Sequence, residues 1–175
     1  VSRGIPLGGS STARPFVFVP CDDGVDEASA TSHLVNTLKV PAIIGPQFSG
    51  VLKRISATTI EGHTLLISPS ATASDIARLT DQNLVWRTAP PDTLQAQAIA
   101  GLLSKKVEAE VRTAVGAGAT DKLKLAVVHK SDSYGTGLES DIRTSVTLNG
   151  EALSSANPIY RPFDYGDPNT DAASL

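Results

Sequence analysis

The chain has 175 residues and a net charge of −3, with 15 Lys and Arg against 18 Asp and Glu, and it is 41% hydrophobic. That is enough apolar mass for a packed core in one domain or one and a half, and there is no basic footprint for nucleic acid. A single Cys excludes an intramolecular disulfide and a multi-thiolate zinc centre, and no apolar run approaches the roughly 18–20 residues of a membrane span.

The opening Val1-Ser2-Arg3-Gly4 is not a signal peptide, which leaves a cytosolic chain or a processed piece of an exported one. Residues 1–15 are rich in Gly, Ser and Pro and lack periodicity, which predicts a loop or tail. Phe16-Val17-Phe18-Val19 is a continuous apolar and β-branched run ending at Pro20 and the turn-prone Cys21-Asp22-Asp23-Gly24. It predicts a buried strand. A helix follows over about 26–38, where Asp26 and Glu27 suit the positive end and Ala30, Leu34 and Leu38 repeat every four residues.

Val40 to Ile44 predicts a second strand, closed by Gly45-Pro46. Ser49 reads as the N-cap of the next helix, with Val51, Leu52, Ile55 and Thr59 facing inward. Thr64 to Ile67 predicts a third strand, Ser74-Asp75 cap a short helix, and Leu84-Val85-Trp86 predicts a fourth strand. Asp92 opens a helix with Leu94, Ala98 and Leu102 on one side. Residues 108–124, holding Gly116 and Gly118, read as a helix tail and a connector. Leu125 to Val128 predicts a fifth strand. Ser133 or a neighbour caps a helix carrying Leu138, Ile142 and Val146, and Asn149-Gly150 reads as its end. Ile159 to Phe163 suits a strand, and Asp171 onward a helix.

Strands alternate with helices, and most strands are short unbroken apolar runs. The pattern predicts an α/β fold with a mainly parallel sheet and helices on both faces. Ligands in such folds bind at the loops leaving the carboxyl ends of the strands. Here those loops are rich in hydroxyls and poor in catalytic bases. His33, His63 and His129 are scattered, and Asp22, Asp23, Asp26 and Glu27 do not fit a calcium loop. Gln47-Phe48-Ser49-Gly50-Val51 fails the nucleophile-elbow pattern at its first Gly, and no phosphate-binding Gly-rich loop is present. A phosphotransfer receiver would need an Asp where the second and third strands end at Gly45 and Ser68. These absences predict no enzyme and no cofactor.

What the loops do offer is a non-catalytic site. Free N–H groups at a helix start beside the Ser49 hydroxyl suit an anion such as a carboxylate. Ser70 and Thr72 at the next strand end offer oxygens to an ammonium. Together these are the parts for holding a zwitterion, against the plainer reading of an ordinary helix cap and a polar turn.

Val40-Pro41-Ala42-Ile43-Ile44-Gly45-Pro46-Gln47-Phe48-Ser49-Gly50 and Leu65-Leu66-Ile67-Ser68-Pro69-Ser70-Ala71-Thr72 resemble two loops of type I periplasmic binding proteins. The resemblance is greatest to the branched-chain amino-acid (Leu/Ile/Val) group of ABC transporters. Cys21-Asp22-Asp23-Gly24, Trp86-Arg87-Thr88-Ala89-Pro90 and Asp132-Ser133-Tyr134-Gly135-Thr136-Gly137 resemble further segments of that group, in its order and spacing. The resemblance implies two α/β lobes closing on a small ligand. It places a ligand carboxylate at Ser49 and Gly50, an ammonium at Ser70, Ala71 and Thr72, and a covering aromatic at Tyr134. It divides the chain into a first lobe over 16–120 and part of a second over 121–175.

The resemblance also implies a fragment. The family's first strand, normally central in the first sheet, has no counterpart here, and the later second-lobe residues are absent. A disulfide of the best-known relatives has Val25 and Phe48 at its positions. An empty strand slot favours self-association through unpaired backbone groups. The implied function is capture of a small polar ligand, an amino acid, for uptake through an ABC permease. The location is periplasmic or extracellular, with lipid anchoring left open. A sensory ligand-binding domain of a signalling receptor is the alternative.

Overall fold

The computed structural model describes residues 5–6, 13–154 and 156–166. Strand β1 (Ile5–Pro6) pairs antiparallel with β2 (Ala13–Arg14), within the stretch expected to be loop or tail. Helix α1 spans Asp23–Ser32 and continues as a π-helical turn over His33–Thr37. Asp22 is its N-cap and accepts from the Gly24 N–H at 2.8 Å. The helix therefore starts earlier than Asp26, which breaks it locally with φ −152° and ψ 88°.

Strands β3 (Ala42–Ile44), β4 (Leu65–Ser68) and β5 (Val85–Arg87) form one parallel sheet in the order β3-β4-β5. Helix α2 (Ser49–Glu61) links β3 to β4, and a 3₁₀ turn (Ser74–Arg78) precedes β5. Leu52 and Ile55 from α2, Leu66 from β4, and Ala71, Ala73 and Ile76 from the following loop and turn form the first core.

A second core gathers around α3 (Asp92–Leu102) and α5 (Ser133–Ser145). Between them lie a π-helical turn over Leu103–Val107, α4 (Glu108–Val115) and β6 (Leu125–Lys130). Gly116 ends α4 in the left-handed conformation with φ 67°, as a C-terminal Gly does. Strand β9 (Tyr160–Tyr165) pairs parallel with β6. Ala96 of α3 packs with Ile142, Val146, Leu148, Leu153, Ile159 and Tyr160. The α3 helix, expected in the first lobe, thus packs on the second core, and the chain passes from one core to the other at 88–91. Amphipathicity shows that a helix has an inner face but not which sheet that face meets.

The core Tyr160 is satisfied. Its hydroxyl donates to Glu139 Oε1 at 2.5 Å, and Arg143 Nε donates to the same oxygen at 3.2 Å. Burial and the Glu139 carboxylate both push the Tyr160 hydroxyl up from its ordinary value.

Two expectations are overturned. Phe16–Val19 is not a strand, and its four residues are 45–77% exposed. Among the described residues β3 pairs only with β4, and the run does not occupy the other edge of β3. An apolar run becomes a strand only beside a neighbour that takes its hydrogen bonds. Asn149-Gly150 does not end α5, which stops at Ser145. The pair instead turns β7 (Thr147–Leu148) into β8 (Glu151–Ala152), with φ of 54° and 75°. Two successive positive-φ residues suit a two-residue hairpin. The helix expected from Asp171 lies outside the described residues.

Candidate ligand-binding cleft

Ser49 is the first residue of α2, and Phe48 holds the N-cap position without a side-chain cap bond. The expected N-cap role of Ser49 is therefore incorrect. Its Oγ accepts instead from the Thr72 N–H at 3.2 Å and the Ala73 N–H at 3.1 Å, and the residue is 3% exposed. A serine hydroxyl has two acceptor lone pairs and one donor hydrogen. With both lone pairs engaged, Ser49 is left with its donor, beside helix-start N–H groups that lack intrahelical acceptors.

The neighbouring loop is cross-braced. Ser68 is buried, donates to the Pro46 carbonyl at 2.6 Å and accepts from the Ala71 N–H at 2.9 Å. Ser70 Oγ donates to the Gln47 carbonyl at 2.9 Å, so its hydroxyl hydrogen is committed within the protein. Arg87 Nη1 donates to the carbonyls of Thr72 at 3.0 Å and Ala73 at 2.9 Å. The Thr72 carbonyl also accepts from the Asp92 N–H at 2.9 Å. Ser49, Gly50, Ser70, Ala71 and Thr72 thus lie together at the start of α2 and the loop bonded to it. The carbonyl of Thr72 and the hydroxyls of Ser49 and Ser70 are partly spent on bracing.

Arg87, Ser68 and Asp92 carry no site role in the sequence reading. Arg87 is a lone cation closing an apolar strand, which is a readable signal. Ser68 hides in an ordinary Ser-Pro turn. Asp92 looks like a helix-start carboxylate yet is fully buried, and neither oxygen has a hydrogen-bond partner. Burial is the main cause that holds its carboxyl above the ordinary 3.8. Asp141 and Asp75 push the same way, while Thr72 and Arg87 pull against them.

The second core meets the start of α2 through the start of α5. Asp132 is the N-cap and accepts from the Gly135 N–H at 2.9 Å. Gly135 allows α5 to lie against the end of β6, since a Cβ there would be 2.1 Å from the Lys130 carbonyl oxygen. Lys130 bonds Asp132 at 2.9 Å and stands 5.5 Å over the Phe48 ring, linking the end of β6 to the start of α2. Ser74 donates to Asp141 Oδ2 at 2.5 Å, a link from the 3₁₀ turn to α5. Tyr134 is partly exposed, with its hydroxyl 3.4 Å from Gln95 Nε2. A Cβ on Gly50 would lie 3.9 Å from Ser133 Oγ, so the first turns of α2 and α5 face each other. Among the described residues no group of three His, Cys, Asp or Glu is placed to hold a metal, and no helix is long and apolar enough to cross a membrane.

The sequence profile described as "Receptor family ligand binding region" matches residues 15–107. The chain is 30% identical over 175 residues to the chemotactic signal transduction system substrate-binding protein BasB of Halobacterium salinarum, covering 96% of this chain and 41% of that protein. It is 28% identical over 122 residues to Leu/Ile/Val-binding protein homolog 3 of Brucella melitensis, covering 70% of this chain and 29% of the relative. The chain therefore spans well under half the length of these curated relatives. The structure is similar to the branched-chain amino acid transporter substrate binding protein LivJ of Streptococcus pneumoniae in complex with isoleucine. The TM-score is 0.59 at 26% identity, covering 84% of this chain and 36% of that one. An ABC transporter substrate-binding protein of Desulfitobacterium hafniense in complex with Leu gives a TM-score of 0.62 at 18% identity, covering 85% and 39%. On the profile match and these folds, the chain belongs to the receptor ligand-binding-region family and has the type I periplasmic-binding-protein fold.

Proposed function

We propose that this chain is the ligand-capturing part of an extracytoplasmic solute-binding protein that takes up an amino acid for an ABC permease. The observation that carries the reading is Ser49, whose two accepted bonds leave only a donor at the start of α2. A carboxylate meets that donor and the helix-start N–H groups together. Ala71 and Thr72 line the neighbouring loop and meet the ammonium, and Tyr134 approaches from the second lobe. Contacts to both lobes favour a closed state, which a permease can read. The location is periplasmic or extracellular, the parent being either free or lipid-anchored.

A thermal-shift screen of the full-length gene product against amino acids, amides and small carboxylates tests this. A ligand at about 100 times its dissociation constant adds about 2.7 kcal/mol of stability, a readable shift. A hit within one amino-acid class is expected. A panel with no amino-acid hit contradicts the reading.

One observation favours a second reading, a sensory domain: the relative BasB is named as part of a chemotactic signal transduction system. The pocket chemistry is the same in both readings, and co-purification with a permease or with a signalling receptor separates them.

The 175-residue chain by itself is also expected to self-associate. Among the described residues β3 has one unpaired edge, and Phe16–Val19 and Ile44 are exposed. Sedimentation of the 175-residue chain should give dimers or larger species, and a folded strict monomer contradicts this.

A further inference from the structure

Residues 72–74 are held on three sides. Ser49 Oγ on α2 accepts from the Thr72 and Ala73 N–H groups. Arg87 on β5 donates to the carbonyls of the same two residues. The next residue, Ser74, donates across to Asp141 Oδ2 on α5 at 2.5 Å, and both partners are half-buried. The third bond is the one that leaves the first core.

Little else ties α5 to the first core at this place. A cleft of about 700 Å³ separates α2 and the 3₁₀ turn from α5, and every residue lining it is polar, charged or glycine. Apolar packing therefore does not hold its two walls together. Among the described residues, Ser74–Asp141 is the only hydrogen bond from residues 42–87 to α5, and no ion pair spans the two. Asp141 also pushes the carboxyl of buried Asp92 upward, so its charge is unfavourable to that neighbour. What Asp141 contributes is the bond. It stands seven residues beyond Tyr134 on α5, which is two helical turns, so the two residues share a face.

We infer that Ser74 and Asp141 are positioning residues of the amino-acid site: their bond sets where α5, and with it Tyr134, stands against the loop over 70–73. This rests on the amino-acid reading of the Ser49 site. Asp141 acts through Tyr134, and Ser74 acts by holding Asp141. A site whose parts sit on two elements binds only when both are in place. Its apparent affinity falls with the fraction of molecules that have them so. A hydrogen bond to a carboxylate is strong enough to move that fraction several-fold.

The test is calorimetric titration of the full-length gene product with each common L-amino acid, followed through Ser74→Ala, Asp141→Ala, Asp141→Asn and the Ser74→Ala/Asp141→Ala pair. Ser74→Ala and Asp141→Ala are each expected to weaken the tightest-binding amino acid by at least about fivefold, and the pair no more than either alone. Asp141→Asn loses the charge but keeps an oxygen that accepts from Ser74, so its affinity should stay within about twofold of wild type. In a Tyr134→Ala background, Asp141→Ala should change affinity no further, an outcome that general loosening of the fold would not give. Circular dichroism checks folding, and Ser74→Ala carries the test if Asp141→Ala does not fold. Wild-type affinity in the folded Ala variants, equal losses in Asp141→Ala and Asp141→Asn, or an undiminished effect without Tyr134 overturns the inference and leaves the amino-acid reading standing. No binding of any amino acid by wild type overturns both.

Discussion

Arg87→Ala is expected to destabilise the protein by about 3 kcal/mol and to loosen the loop that holds the ligand. Two hydrogen bonds leave a guanidinium for the carbonyls of Thr72 and Ala73, at 3.0 and 2.9 Å. Bonds to a charged group contribute about 1.5–3 kcal/mol each, and the carbonyls left behind are partly shielded from water. The same two residues donate their N–H groups to Ser49 Oγ. One arginine thus fixes the acceptors and Ser49 fixes the donors of a single turn of chain. Losing Arg87 also removes a positive charge near buried Asp92, so Arg87→Ala and Asp92→Asn should not be additive. Urea unfolding of both single variants and the double variant measures this. A cost below about 0.5 kcal/mol for Arg87→Ala, a surface-like value, would contradict the bracing role.

Asp92→Asn should do the opposite at neutral pH and stabilise by about 1–2 kcal/mol, because an unpartnered buried carboxylate pays for desolvation without return. The sign follows from its pKa, which burial raises above the ordinary 3.8 in the folded state. Between the unfolded and folded values the native protein holds more protons, so this group's contribution is greatest at or below pH 3.8. The contribution falls away as pH rises through the folded value and is missing at neutral pH. The advantage of Asp92→Asn over wild type should therefore shrink as pH is lowered from 7 toward that window. Denaturant titrations at several pH values test it, and a destabilised, pH-independent Asp92→Asn variant would show that the carboxylate has a partner it depends on.

The alternation of elements was legible because each strand announces itself as a short apolar run closed by Gly, Pro or Ser, and each helix by its four-residue repeat. Val40–Ile44, Thr64–Ile67 and Leu84–Trp86 match strands within one or two residues at each end. Phe16–Val19 has the same composition and failed, because strandness there depends on a neighbouring ladder that lies outside the run itself. Asn149-Gly150 misled because left-handed residues serve both helix ends and hairpins.

The site was legible as a set of loops but not as a wiring diagram. Ser49 reads as a cap, since a Ser before an apolar helix usually is one. Its actual partners lie on the next loop, 23 and 24 residues later in the chain. Tertiary bonds of that kind leave no local trace. Nothing in the sequence singles out Gly135, and only the fold reveals that the Lys130 backbone occupies the space a side chain would need.

The account turns on the Ser49 hydroxyl as the donor to a ligand carboxylate. Titration of the ligand found by the amino-acid screen into the full-length gene product and its Ser49→Ala variant tests this most directly. The predicted result is a loss of at least about tenfold in affinity, as expected for one hydrogen bond to a charged group, in a variant that still folds. Unchanged affinity in folded Ser49→Ala would contradict the account and reduce Ser49 to a brace between α2 and the Thr72 loop.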